Sequence, residues 1–118
     1  MCKTEVEELI ETINSLTKIY DFRNNTEVSL FIESNPFLVQ LLRQAHAKIR
    51  QTFGDSKPIV LEVIKDYDSE DGDELFALVQ TNLPPQEARS KLKRLDREWW
   101  SEASRQAKCQ MNIDIEYV

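Results

Sequence analysis

The sequence predicts a two-layer α+β domain, with a three-stranded, mainly antiparallel sheet and helices on one face. Three observations predict it. Apolar residues recur at helical spacing through the first half of the chain. Two alternating apolar/polar runs, 57–66 and 74–81, follow on either side of an acidic connection. A third alternating run, 110–118, closes the chain after a helix that opens on Pro84-Pro85 and holds both tryptophans. If this last strand pairs antiparallel with the 57–66 strand, the order is 2-1-3 and the tryptophan helix is the crossover of a split βαβ unit.

Thr4 and Glu7 have the spacing of a capping box. Val6, Leu9, Ile10, Ile13, Leu16 and Tyr20 then form one apolar stripe, so residues 4–21 read as a helix. Glu5, Glu7, Glu8 and Glu11 crowd its positive end and Lys18 sits near its negative end. Residues 23–26 break the pattern, and 27–33 read as a short helix. Asn35-Pro36 opens the next helix, because proline at the first position gives up only an unpaired N–H. Phe37, Leu38, Leu41, Leu42, Ala45, Ile49 and Phe53 line its apolar face, and Gly54 stops it. The domain organisation expected is an accessory or dimerising helix over 1–22 and a single α+β domain over 26–118.

On the tryptophan helix, 100° per residue puts Ala88, Leu92, Leu95, Trp99 and Ala103 on the buried stripe. Trp100 then falls off that stripe, in line with Lys93 and Arg89 and beside Arg97. Adjacent tryptophans do not share the centre of one helical face. Trp100 is then either covered by another element of the same chain or the anchor of a candidate interface with Arg97, Lys93 and Arg89, since tryptophan and arginine are enriched at binding hot spots.

The net charge of −6 disfavours a protein devoted to nucleic acid. Residues 85–108 run against it, with seven Lys/Arg against four acids. No apolar run is long enough to span a membrane, and the acidic start lacks a signal peptide's apolar stretch, so a cytoplasmic location is expected. Cys2 and Cys109 have no Cys or His neighbours at ligand spacing and read as free thiols. Asp66, Asp68 and Glu70 have the start of a calcium-loop pattern. Gly72 comes one position late and Ala77 stands where glutamate is needed, so they read as a solvated hairpin. His46, the single histidine, reads as a boundary residue. No Gly-rich phosphate loop, nucleophile elbow or zinc-protease motif is present, and no catalytic residue, metal or cofactor is assigned.

Phe37–Gly54, Glu74–Trp100 and Met111–Val118 together resemble a family of small, uncharacterised bacterial proteins common in cyanobacteria. The segments that carry the likeness are NPFLVQLLRQAHAKIRQTFG, ELFALVQTNLPP, RLDREWW and IDIEYV. It implies a shared fold over about three quarters of the chain and no activity. Members of that family usually have glycine where Cys109 stands, and the first helix is not a shared feature.

The functional expectation is a small interaction or accessory protein that binds a protein partner or a second copy of itself. An antitoxin-like partner of a neighbouring gene product is one form of it. The alternatives are nucleic-acid binding through the basic 89–105 helix, and an enzyme whose site assembles only in three dimensions.

Overall fold

Helical spacing becomes helix close to where the sequence places it, with shifted ends. A computed structural model of the chain describes residues 5–54, 57–65, 72–108 and 110–118. The elements are α1 (Glu5–Leu16), β1 (Asp21–Phe22), α2 (Asn25–Ser34), α3 (Leu38–Phe53), β2 (Ile59–Ile64), β3 (Glu74–Thr81), α4 (Pro85–Leu95) and β4 (Met111–Tyr117). Thr4, both cysteines and the acidic connection 66–71 lie outside the described residues, as do the side chains of Val6, Glu7, Leu9 and Ile10.

The first helix ends at Leu16 instead of Asp21, and the chain turns into the two-residue strand β1. Asn24, at φ 61°, caps α2 by accepting from the Glu27 N–H. Asn35 ends α2 where the sequence reading had it open α3, its Nδ2 donating to the Phe31 carbonyl at 2.9 Å. Gly54 does stop α3, at φ 84°, a conformation that costs glycine nothing.

The sheet differs from the three-stranded antiparallel arrangement expected. It has four strands in the order β1-β2-β3-β4, and β4 lies beside β3, not beside β2. β1 pairs parallel with β2, β2 antiparallel with β3, and β3 parallel with β4. The reason is occupancy of an edge. The place beside β2 that an order of 2-1-3 requires is held by β1, through the Asp21↔Val60 and Phe22↔Leu61 pairs. The chain leaving α4 must then return to the other side of the hairpin, next to β3. Each parallel pair is joined by helix, as a crossover between parallel strands demands.

All the sheet residues of the apolar core come from one face. They are Ile59, Leu61 and Val63 of β2, Leu75, Ala77 and Val79 of β3, and Met111 and Ile113 of β4. Against them lie Val28 and Ile32 of α2, Leu38, Leu41, Leu42, Ala45 and Ile49 of α3, and Ile13 and Leu16 of α1. Tyr20, just past α1, is 3% exposed and donates its phenol O–H to the Leu42 carbonyl at 2.6 Å. Burial pushes that phenol well above its ordinary range, which keeps it a neutral donor.

The opposite sheet face is crossed by a polar strap. Arg23, next to β1, donates from Nη1 to Glu62 Oε2 of β2 at 2.9 Å. It also grips Glu116 of β4 with both terminal nitrogens, at 2.8 and 2.6 Å. Gln80 of β3 donates to the same carboxylate at 2.9 Å. A planar guanidinium matches a carboxylate in this two-point geometry, so the strap joins the first strand to the last. Val60, on that face, is 2% exposed and stands apart from the main core.

The strap gives the fold an acid-side weakness. Hydrogen bonds from Arg23, then Gln80, hold the Glu116 carboxyl down from 4.5 to about 2. A carboxyl lowered on folding contributes stability above its unfolded pKa and loses it as the pH falls through the folded one. The window is therefore pH 4.5 to about 2. Because the groups are partly exposed and screened, the contribution is about 1 kcal/mol. Urea titrations at neutral and at acid pH should find Glu116→Gln less stable at neutrality and the gap closed at the acid end. A gap that persists unchanged to the acid end would contradict this account.

Candidate interaction surface on the crossover helix

Pro84-Pro85 starts α4 as expected, with the Ala88 N–H donating to the Pro84 carbonyl at 3.0 Å. The helix is regular through Leu95 and then widens into a π turn over Asp96–Trp100. Its signature is the Ser101 N–H donating to the Asp96 carbonyl, five residues back. The helix resumes over Ser101–Ala103 and tightens into a 3-10 turn over Ser104–Ala107. Lys108 ends it in the left-handed region at φ 52°, with its ammonium 4.8 Å from the centre of the Phe37 ring.

One extra residue in a turn rotates everything after it. The buried positions run Ala88, Leu95, Trp100, Ala103 and Ala107, with five residues from Leu95 to Trp100. The expectation that Trp99 is the core ring and Trp100 the displaced one is therefore reversed. Trp100 is 6% exposed, and Trp99 is half-buried against the core. Their ring centres lie 5.5 Å apart at 44°. The Trp100 indole Nε1–H reaches Asn112 Oδ1 of β4 at 3.3 Å, which partners the ring's one polar group.

The basic residues of the helix divide into two sets. Lys91 donates to the Thr52 carbonyl at the end of α3, and Arg94 pairs with Glu98 one turn on. Arg89, Lys93 and Arg97 are exposed and have no hydrogen bond or ion pair among the described residues. Spaced four apart, they form one row along the helix. These three are exposed on the helix, whereas Trp100 is buried.

Between this row and β4 lies a recess of about 240 Å³. Leu92, Leu95, Trp100 and Ile113 wall it, and the exposed residues Lys93, Asp96 and Asn112 border it. Trp100 thus contributes as a buried wall, not as an exposed anchor. Asn112 borders the recess, and in the sequence it is one polar position of an alternating strand. No local signal sets it apart.

Other groups with chemical potential are engaged in structure. His46 meets the Tyr20 ring edge-on at 5.6 Å. Burial and then the Arg50 charge lower its pKa, which keeps the imidazole neutral. A smaller pocket of about 130 Å³ lies between the end of α3 and the start of α4. Two of its cations are turned inward: Arg50 donates to the Gly54 and Lys57 carbonyls, and Lys91 to that of Thr52. Among the described residues no cluster of three potential metal ligands occurs. No helix in that set is long and apolar enough to cross a membrane.

No protein-family model, curated protein or solved structure matches the chain.

The π turn makes a ranking of the two tryptophans testable. Trp100→Ala removes a buried ring and should cost about 3–5 kcal/mol, while Trp99→Ala, at a half-buried site, should cost about half as much. Urea unfolding of the two single variants side by side measures it. The reverse order would return Trp99 to the core and remove the π turn.

Proposed function

We propose that the protein is a small interaction module that binds a protein partner through the exposed row on α4 and the recess beside it. One observation carries this reading. In a chain of net charge −6, three neighbouring cations of α4 have no hydrogen bond or ion pair among the described residues, and one of them, Lys93, borders an apolar recess. Other described cations, Arg23, Arg50, Lys91 and Arg94, are engaged by carboxylates or carbonyls; what sets the row apart is its four-residue spacing along one helix with a member beside the recess. Unpaired cations around an apolar hollow are a common form of binding surface, in which a desolvated anchor supplies affinity and the charged rim supplies selectivity and speed of encounter.

The same three cations are what a nucleic-acid phosphate backbone would use, and salt dependence separates the two readings. Three phosphate contacts give a log–log slope against salt no steeper than about −2.7 on duplex DNA.

The reading is tested by reversing the row. Arg89→Glu, Lys93→Glu and Arg97→Glu together change exposed positions, so circular dichroism and the melting curve should stay close to the unaltered protein. Partner capture from lysate of the source cells, compared quantitatively between the two proteins, should fall by more than about tenfold for a polypeptide that binds through this face, the worth of two rim ion pairs. Equal capture by both proteins would exclude the row from binding. Tight binding of a short DNA duplex with a log–log salt slope of about −2.7, lost in the triple variant, would replace the protein-partner reading with the nucleic-acid one.

A further inference from the structure

β4 pairs with β3 along one side, and no described strand lies along its other side. The backbone bonds at its two ends show which groups face which way. The Leu75 N–H donates to the Gln110 carbonyl and the Val118 N–H to the Thr81 carbonyl. Even-numbered residues thus turn their backbone groups toward β3, and Met111, Ile113, Ile115 and Tyr117 turn theirs to the open edge.

Two of these outward N–H groups are met from within the strand. The Ile113 N–H donates to Asn112 Oδ1 and the Ile115 N–H to Asp114 Oδ1, each at 2.8 Å. Asn112 Oδ1 also accepts from Trp100 Nε1 at 3.3 Å. Two donors from different elements therefore converge on one oxygen, at the edge of the sheet and at the border of the recess. A neighbouring strand's carbonyl would occupy the position that this side-chain oxygen holds.

Resting on the reading of α4 as an interaction surface, we infer that the β4 edge is a strand-docking site for an extended acidic segment of a partner protein. A backbone carbonyl of that segment takes the place of Asn112 Oδ1 between the Ile113 and Trp100 donors. An apolar side chain enters the recess against Leu92 and Trp100, and a carboxylate meets Lys93. Until a partner arrives, Asn112 and Asp114 cap the edge and discourage indiscriminate pairing, as edge strands need. Charge selects the occupant. A second copy pairing β4 to β4 would set its own Asp114 and Glu116 against the same residues and bring two cationic α4 rows together, which like-charge repulsion opposes. An acidic segment from a different chain complements the row.

The test uses a short capped peptide of alternating glutamate and valine, labelled with fluorescein and followed by anisotropy with the full chain. Asn112→Ala frees both donors and should tighten binding by about fivefold, the worth of one net hydrogen bond. Trp100→Phe keeps an aromatic ring at the wall of the recess, removes the indole N–H and should weaken binding by a similar factor. N-methylation of alternate peptide residues should abolish binding in one register and leave it unchanged in the other, a two-residue period peculiar to strand addition. Absence of binding to either protein, weaker binding by Asn112→Ala, or equal effects of the two N-methylation patterns would overturn the inference. If the triple reversal on α4 abolishes capture of the natural partner while the methylation patterns act equally, the α4 reading stands and the strand inference alone fails.

Discussion

The Ser101 N–H reaches back five residues to the Asp96 carbonyl, and the second half of the molecule depends on that one bond. A turn closed by four residues would put Trp99 over the sheet and carry Trp100 and Ala107 off it by about 100°. With the wider turn, Trp100, Ala103 and Ala107 all face the core, and the helix ends where the Gln110 N–H can donate to the Ala107 carbonyl. β4 then begins in register, Met111 opposite Leu75. The turn also aims the Trp100 indole at Asn112, tying the crossover helix to the strand it delivers. A π turn gives up regular helical bonding and persists where packing over-determines it, and here a buried indole and a strand register do so.

The position of β4 has a second cause at the far side of the sheet. A strand of two residues is too short to hold itself, yet β1 keeps β4 from the edge of β2. Arg23 reinforces the arrangement from the outer face, because its guanidinium joins Glu62 on β2 and Glu116 on β4 around one centre. The first and last strands are thus tied across the sheet, and the edge of β4 that faces away from β3 is the one beside Trp100. Edge occupancy and the π turn together bring the unpaired row of α4, the recess and an open strand edge into one place.

Much of this was legible in the residues. The span of β3, the apolar face of α3, the Gly54 stop and the inward set Met111 and Ile113 follow from periodicity and the chemistry of helix ends. The row of Arg89, Lys93 and Arg97 follows from helical spacing alone, since it lies almost wholly before the π turn. What was not legible depends on contacts distant in sequence. Two residues such as Asp21 and Phe22 show no period, and without them nothing forbids β4 beside β2. The π turn has no local signature either, because Asp96, Arg97 and Glu98 are ordinary helix residues. The one hint is the pair of adjacent tryptophans, which a regular helix cannot bury together. Asn112 and Asp114 read as the wet side of a strand, and only the fold shows their oxygens turned onto edge N–H groups.

The central claim is that the helix carries one residue more than an α turn between Leu95 and Trp100, and removing one exposed residue from that turn tests it most directly. Glu98 is suited, since its only described side-chain bond is an exposed pair with Arg94. Without it, Trp100 follows Leu95 by a regular four-residue spacing and keeps its face. Urea unfolding should then show a cooperative transition within about 1 kcal/mol of the unaltered protein, as for a surface change. If the helix were regular throughout, with Trp99 on the core face, the same deletion would turn Trp99 away from the sheet. Loss of several kcal/mol, at about 3–5 for the tryptophan alone, or failure to fold, would contradict the account.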